Sequence, residues 1–264
     1  MPPLDLATIL NTPDDPPRWL LHGVIGQGQM VILAGEPGVG KSVLSYTLAL
    51  AVGAGGLPFL GRATAGGPVM YFDEENSLPD VKQYVRWAWR GLGGPDAARV
   101  KVSIEHFSLA VQGVRRYEYM VERAGAVKPT LIIVDTVTPA CHIKDENDNA
   151  EASRAIAALR RVRTVAGPDC TMLLLKHARI PHRDATQEDG ARASIRGAKT
   201  WLGELDCVLY HVASPGRPTR DGLRGSRIVP DKVRAFGLRH SINIHPSWSD
   251  QTPPGLILEG RDTD

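Results

Sequence analysis

The chain has 264 residues, of which 42% are hydrophobic and 23% charged, and its formal net charge is +2. This length suits one large α/β domain or two small ones, and the nearly neutral charge gives no whole-molecule argument for a polyanionic partner. The three cysteines, Cys141, Cys170 and Cys207, lie far apart, which excludes a disulfide framework and a zinc ribbon. The sequence has no run of 18 apolar residues and no N-terminal signal pattern, so we expect a cytoplasmic protein without a membrane partner.

The first predicted elements are an irregular, proline-rich arm and a strand that leads into a glycine-rich loop. In the arm, Trp19 is expected to dock on the following domain. The apolar run Met30–Ala34 precedes the loop, whose sequence is Gly35-Glu36-Pro37-Gly38-Val39-Gly40-Lys41-Ser42, and an Ala/Leu-rich stretch begins at Val43. A strand, a glycine turn and a helix in this order are the context of a phosphate-binding loop. We therefore expect residues 35–43 to bind ATP, with Lys41 on the β- and γ-phosphates and Ser42 on Mg²⁺.

The next apolar strand, at 68–72, ends in a run of acidic residues. Its sequence continues as Asp73-Glu74-Glu75-Asn76, and a helix is predicted at 81–92. If this strand neighbours the first, a carboxylate here can orient or deprotonate the water that attacks a phosphate. Glu75 is our first choice for this role and Glu74 the second, while a solvated acidic turn is the alternative without catalysis.

Two further apolar strands also end in polar residues. The strand at 129–134 leads to Asp135, and the strand at 171–175 leads to Lys176 and His177. Open α/β sheets bind their ligands at the carboxyl ends of the strands, so Asp135 is predicted to orient Mg²⁺, with a turn-capping carboxylate as the alternative. His177 is either a sensor that hydrogen-bonds the γ-phosphate or a structural residue.

The remaining pattern predicts an α/β fold with a mainly parallel sheet. Helices are expected at 114–127 and 150–165, a short strand at 99–104, and late strands at 205–212, 227–229 and 236–244. Apolar strands that alternate with helices favour a parallel sheet covered on both faces, and strands without intervening helices favour an antiparallel edge. We divide the chain into an arm at 1–29, a core at 30–245 and a tail at 246–264.

These motifs together resemble those of the RecA-type ATPases, and within them the hexameric replicative helicases of the plasmid RepA type. The resemblance covers about residues 16–245 and depends on the segments 19–21, 26–30, 35–42, 71–75, 131–135, 173–177 and 196–199. It implies a RecA-like three-layer α/β/α fold with antiparallel C-terminal edge strands, and a Mg²⁺-dependent ATPase. It also implies that Glu75 is the catalytic carboxylate, Asp135 the acid associated with Mg²⁺ and His177 the γ-phosphate sensor.

The resemblance further implies a ring-shaped homo-oligomer, expected to be a hexamer, in which basic residues of a neighbour complete each ATP site. The segment 231–237 is similar to the Lys-x-Arg element with this role, which points to Lys232 and Arg234. Arg196 and Lys199 are the competing candidates. A cation supplied by a neighbour stabilises the charge that develops during phosphoryl transfer.

Local clusters of basic residues suggest a single-stranded DNA partner. Six basic and three acidic side chains lie between 176 and 199, and seven basic and two acidic between 217 and 239. Clustered cations suit a phosphate backbone, and the candidates for strand contact are Arg179, Arg183, Arg192 and Arg196. A solvated loop is the alternative. The preferred function is a replicative DNA helicase of a plasmid, phage or mobile element; the alternatives are a RecA-like recombination or annealing protein and a KaiC-like regulatory ATPase.

Overall fold

A computed structural model of the chain describes residues 5–13, 15–106, 115–145, 147–178, 199–215, 218–234 and 237–263. The helices are α1 (Leu6–Asn11), α2 (Lys41–Gly53), α3 (Leu78–Gly91), α4 (Arg115–Val127), α5 (Val137–Ala140), α6 (Asn149–Ala166) and α7 (Lys199–Glu204). The strands are β1 (Trp19–Leu21), β2 (Ile25–Gly26), β3 (Met30–Gly35), β4 (Val69–Asp73), β5 (Val102–His106), β6 (Leu131–Asp135), β7 (Thr171–His177), β8 (Cys207–Ala213), β9 (Ser226–Val233), β10 (Ile242–Trp248) and β11 (Leu256–Asp262).

The central sheet has the strand order β11-β10-β9-β8-β3-β7-β6-β4-β5. Every pairing from β8 to β5 is parallel, whereas β8, β9, β10 and β11 pair antiparallel to one another. The prediction of a mainly parallel sheet with antiparallel C-terminal edge strands is therefore confirmed.

Helices cover both faces of the sheet, which gives three layers. Along β3, Ile32 faces a core shared with α4 and α6, while Val31 and Leu33 face a core shared with α2 and α3. All six residues of β3 are buried, because a strand between two helical layers has no solvent-facing side.

Local sequence signals account for where the covering helices begin. Ser77 caps α3 by accepting a hydrogen bond from the Asp80 N–H, and Asp148 caps α6 by accepting from Ala150 N–H at 2.7 Å. Among the described residues, no helix is long and apolar enough to cross a membrane.

The parallel register brings the predicted site residues to one edge of the sheet. Gly35 at the end of β3 is level with His177 on β7, and Asp73 at the end of β4 is level with Asp135 on β6. Since parallel strands all end on the same side, the polar residues that follow them meet there.

The N-terminal segment differs from the irregular arm that the sequence predicts. Residues 6–11 form the helix α1, whose N-terminus is capped by Asp5 and which has no buried residue. Strands β1 and β2 form an antiparallel pair, and Leu20, Leu21 and Ile25 are buried in the core. The proline-rich composition gives no sequence signal for these short elements. Core residues such as Leu20 therefore lie on the N-terminal side of the predicted boundary at residue 29.

The segment predicted as a tail, 246–264, also contributes residues to two strands of the sheet. Strand β10 continues to Trp248, and β11 pairs with it from Leu256 to Asp262. The predicted boundary at residue 245 therefore falls inside a strand. Only Leu256 of β11 is buried, so this edge strand lacks the continuous apolar run that marks the central strands.

Candidate active site

The loop between β3 and α2 has the geometry of a phosphate cradle. Gly38 and Gly40 have φ angles of +77° and +96°, in the left-handed region that favours glycine. A Cβ on Gly35 would lie 2.3 Å from the carbonyl oxygen of His211 on β8, so close packing against β8 also requires glycine there. Gly40 precedes α2 without a side-chain cap. The first N–H groups of α2 therefore face the loop, where an anion can bind them.

Lys41 lies along this loop at the start of α2. Its Nζ atom donates to the carbonyl oxygens of Gly35 and Glu36, at 3.0 and 2.8 Å, and lies 3.5 Å from Nδ1 of His177. Burial lowers the pKa of Lys41, although the nearby carboxylates of Glu75 and Asp135 act in the opposite direction. The ammonium group is therefore held where β3, α2 and β7 meet.

The three acids at the end of β4 and directly after it have different environments. Asp73 is fully buried and accepts hydrogen bonds from the hydroxyl of Tyr46 at 2.6 Å and from the Asn76 side chain at 2.9 Å, as well as from two backbone N–H groups. Glu74 forms an ion pair of 2.8 Å with Arg116 on α4, and its side chain is 7% exposed. Asp73 thus fixes the turn and Glu74 joins it to α4, which leaves Glu75 as the acid at the open site.

Glu75 is in direct contact with His177. Its Oε1 atom lies 2.8 Å from Nε2 of His177, and the two side chains are 36% and 37% exposed. An ammonium group only donates hydrogen bonds, so the Nδ1 atom that faces Lys41 acts as an acceptor. The ring hydrogen is then on Nε2, which donates a hydrogen bond to Glu75. Burial raises the pKa of Glu75, but the hydrogen bonds from His177 and Thr136 and the charge of Lys41 lower it by more, so that the net shift of the pKa is downward. The carboxylate is therefore ionised at neutral pH, as a general base requires.

Asp135 is the buried carboxylate at the end of β6. Its Oδ2 atom accepts from the Tyr71 hydroxyl at 2.7 Å and from the Asn76 side chain at 3.3 Å, whereas Oδ1 has no hydrogen-bond partner among the described residues. Burial, together with the negative charge of Asp73, raises the pKa of Asp135 to about 6.

The residues around Asp135 fit a hard divalent cation. Asn76 lies 3.4 Å from the Ser42 hydroxyl and also contacts Asp135, so it connects the two predicted metal ligands. Hydroxyl and carboxylate oxygens suit Mg²⁺, and a cation would satisfy the buried Oδ1 atom. Ser42 and Asp135 would hold the ion, which when bound would neutralise charge on the phosphate oxygens.

Sequence reasoning missed the hydrogen-bonding residues that support this site. The rings of Tyr46 and Tyr71 stack with centroids 4.1 Å apart and planes 2° from parallel, and their hydroxyls reach Asp73 and Asp135, respectively. Asn76 was within reach of sequence analysis, because it follows the acidic run directly. The tyrosines carried no comparable signal, since aromatic residues on a helix and a strand are ordinary core residues.

Among the predicted basic residues that the structure describes, Lys232 and Arg234 lie away from this edge of the sheet. Lys232 and Arg234 donate to the carbonyl oxygen of Gly203 on α7, at 2.9 and 2.7 Å. Lys232 pairs with Val208 near the start of β8, whereas the phosphate loop is level with His211 near its end. Lys199 begins α7. Arg179, Arg183, Arg192 and Arg196 lie outside the described residues.

The sheet topology, the glycine loop and the acids at the ends of β4 and β6 define a RecA-type P-loop ATPase, as the motifs predicted. A family model described as an AAA domain matches residues 2–182, which is more than half of the chain. The chain therefore belongs to this AAA domain family.

Among solved structures, a KaiC-like protein from the hyperthermophilic archaeon Pyrococcus horikoshii OT3 is similar. The two chains are 13% identical and superpose with a TM-score of 0.57, over 92% of this chain and 99% of that chain. At this identity the likeness concerns the fold. No curated protein matches the chain.

Proposed function

We propose that the chain is an ATP-hydrolysing, oligomeric motor that acts on single-stranded DNA, as a replicative helicase of a plasmid, phage or mobile element. The observation that carries the proposal is the series of contacts from Lys41 through His177 to Glu75. In this series an ammonium group, an imidazole and an ionised carboxylate lie side by side at the end of the phosphate loop, which supports a role in phosphate chemistry.

Each group of this series has a distinct part in hydrolysis. Triphosphate binding would draw Lys41 from the two loop carbonyls that it contacts to the phosphate oxygens. Glu75 would orient and deprotonate the attacking water. His177 would hydrogen-bond the γ-phosphate and lose that partner when phosphate leaves. His177 is the last residue of β7, and Arg179 and Arg183 follow it closely in the sequence. Loss of the γ-phosphate contact would therefore change the position of His177 next to the segment proposed to bind DNA.

The oligomeric part of the proposal is supported by the position of the Lys-x-Arg element. Lys232 and Arg234 lie near the amino end of β8, away from the phosphate loop of their own chain. A role for them in hydrolysis therefore requires a second subunit whose ATP site they reach. We propose that they act across the interfaces of a hexameric ring, where a cation stabilises the transferring phosphoryl group.

The DNA part of the proposal is supported by charge in the sequence. The basic residues of segments 176–199 and 217–239 outnumber the acidic ones by at least two to one. Between 179 and 199 the sequence contains no Phe, Tyr or Trp to stack on bases. We therefore expect binding through the phosphate backbone, without sequence preference and with strong salt dependence.

A KaiC-like regulatory ATPase is the second candidate, which the structural likeness to the Pyrococcus horikoshii protein favours. Such a protein would use the same hydrolytic site to switch its contacts with protein partners. A recombination or annealing protein would also use this site, but to switch an assembly on DNA.

ATP turnover with and without single-stranded DNA separates these functions. We expect single-stranded DNA to raise turnover several-fold and the protein to unwind a forked duplex, with Lys41→Ala as the inactive control. Turnover that no polynucleotide alters would contradict the motor and support regulation. Stimulation with strand annealing but without unwinding would support the recombination function.

A further inference from the structure

The two oxygens of the Asp135 carboxylate have different surroundings. Oδ2 accepts hydrogen bonds from the Tyr71 hydroxyl at 2.7 Å and from the Asn76 side chain at 3.3 Å, whereas Oδ1 has no hydrogen-bond partner among the described residues. Since the two oxygens of an ionised carboxylate are chemically equivalent, this difference comes from the neighbouring residues. Asp135 therefore presents one free oxygen, Oδ1, to a cation.

Tyr71, the closer of the two donors, is held in place by residues of α2. Its ring stacks on the ring of Tyr46, and the Ser45 hydroxyl lies 2.7 Å from the Tyr71 hydroxyl oxygen. The side chain of Tyr71 is fully buried. Loss of its hydrogen bond to Asp135 would leave a buried polar group without a partner, which is unfavourable. The contact between Tyr71 and Oδ2 is therefore a stable part of the site.

Asn76, the second donor, is held through its backbone. Its N–H donates to Oδ1 of Asp73 at 2.8 Å, and its carbonyl oxygen accepts from Nε2 of His106 on β5, also at 2.8 Å. Its side-chain nitrogen lies 2.9 Å from Oδ2 of Asp73 as well as 3.3 Å from Oδ2 of Asp135. An ionised carboxylate only accepts, so the nitrogen of the amide must face both acids. A neutral donor thus lies between two buried carboxylates that the sheet register places level with each other.

The number of oxygens that a carboxylate offers affects which divalent cation it suits. Mg²⁺ requires a nearly ideal octahedron and keeps several waters, whereas Ca²⁺ takes about six to eight oxygens and can use both oxygens of one carboxylate. With Oδ2 engaged, Asp135 matches the requirement of Mg²⁺. A carboxylate without these two donors could rotate and offer both oxygens, which would improve the site for the larger ion.

We propose that Tyr71 and Asn76 are positioning residues that restrict Asp135 to one free oxygen and thereby favour Mg²⁺ over Ca²⁺. The inference rests on the proposed ATP site, in which Ser42 and Asp135 hold the metal. It deepens that proposal because it assigns the choice of ion to two residues that act through Asp135.

Ion competition without hydrolysis tests the proposal. The protein is saturated with a non-hydrolysable ATP analogue and loaded with Mn²⁺, and the release of Mn²⁺ by Mg²⁺ or Ca²⁺ is followed by electron paramagnetic resonance. The ratio of the two apparent affinities is the selectivity. We expect Tyr71→Phe to lower the preference for Mg²⁺ by about tenfold. Asn76→Ala should lower it by about two- to fivefold, because its bond to Asp135 is longer and its amide also serves Asp73.

Tyr46→Phe is the matched control for Tyr71→Phe. Tyr46 is the other ring of the stack, but its hydroxyl donates to Asp73 and not to Asp135. Its selectivity should therefore stay within about twofold of the wild type. In an Asp135→Ala background, Tyr71→Phe should leave the selectivity unchanged, because the partner through which it acts has been removed.

Three results would overturn the proposal: an unchanged selectivity in Tyr71→Phe, an equal loss in Tyr46→Phe, or an effect of Tyr71→Phe that persists in the Asp135→Ala background. Should Asn76→Ala fail to fold, the two tyrosine variants still decide the question. A wild-type chain that binds neither the analogue nor Mn²⁺ would overturn the ATP site and this proposal together. Failure of DNA to stimulate turnover would overturn the motor alone, because this test contains no DNA.

Discussion

The parallel and antiparallel halves of the sheet differ in how they hold functional residues. In the parallel half, register places Gly35 beside His177 and Asp73 beside Asp135, and hydrogen bonds from Tyr71 and Asn76 hold the side chain of Asp135. In the antiparallel half, strands β9 to β11 are only partly buried, they line a cavity beside the phosphate loop, and Lys232 lies near the end of β9. The residues predicted for hydrolysis therefore lie in the regular half, whereas Lys232, which we propose for contact with a neighbouring subunit, lies in the edge.

The largest effect is expected from Glu75→Gln, which tests the parallel half. The amide retains the size of the side chain but cannot take a proton, so we expect ATP binding to persist and turnover to fall by about 10²- to 10⁴-fold. Steady-state turnover together with ATP binding measures this. Glu74→Gln is the matched control, because the neighbouring acid is paired with Arg116, and turnover should stay within a few-fold of the wild type. Normal turnover in Glu75→Gln would transfer the role to Glu74 or Asp73.

The second effect concerns the cation of the phosphate loop. Lys41→Ala removes a charged donor to the β- and γ-phosphates, so we expect ATP and tripolyphosphate to bind about 10- to 100-fold more weakly. Lys82→Ala, on the exposed side of α3, is the control and should bind both ligands normally. ATP and tripolyphosphate that bind Lys41→Ala as tightly as the wild type would contradict the role of Lys41 on the phosphates.

The third effect is on stability and follows from the buried carboxylate of Asp135. Its pKa of about 6 in the fold lies above the ordinary 3.8. The folded chain thus binds more protons between about pH 4 and 6, and stability falls as pH rises through that window. The ionised group costs up to about 3 kcal/mol at pH 7.5.

We therefore expect Asp135→Asn to stabilise the metal-free chain at pH 7.5 and to do so much less at pH 4.5, as measured by urea unfolding in a chelator. Asp73→Asn should destabilise the chain, because its carboxylate accepts four hydrogen bonds. A less stable Asp135→Asn chain at pH 7.5 would contradict this interpretation of the buried acid.

The smallest effect is expected from mixed oligomers, which test the antiparallel half. Lys232→Ala and Glu75→Gln subunits should each have low turnover, and mixing them should recover part of it if the cation of one chain serves the carboxylate of another. Mixing Lys199→Ala with Glu75→Gln tests the competing cation in the same way. If turnover in the Lys232→Ala mixture equals the average of the two separate proteins, Lys232 does not act in the neighbour's site.

The sequence predicted the parallel half well, because its signals are local. The run from Leu131 to Val134 and the glycines of the phosphate loop identify a buried strand and an anion site without any tertiary information. By contrast, the hydrogen bond from Tyr46 to Asp73 joins residues 27 positions apart in the sequence, and the hydrogen bond from Tyr71 to Asp135 joins residues 64 positions apart. Such contacts exist only once the register of the sheet is set.

The antiparallel half was predicted less well for a physical reason. An edge strand such as β11 has one buried residue, so it lacks the apolar period from which a strand is recognised. The cavity wall formed by Trp248 and Leu256 arises from packing between distant elements. The Nδ1 atom of His211 has no hydrogen-bond partner among the described residues, and this too depends on its surroundings in the fold, which no motif describes.

The most direct test of the account is an experimental structure of the Glu75→Gln chain with magnesium ATP, in which slow turnover preserves the nucleotide. We predict that the triphosphate lies on residues 35–43, that Ser42 and Asp135 hold the metal, and that the γ-phosphate faces His177. A triphosphate bound elsewhere, or a metal held without Asp135, would contradict the account.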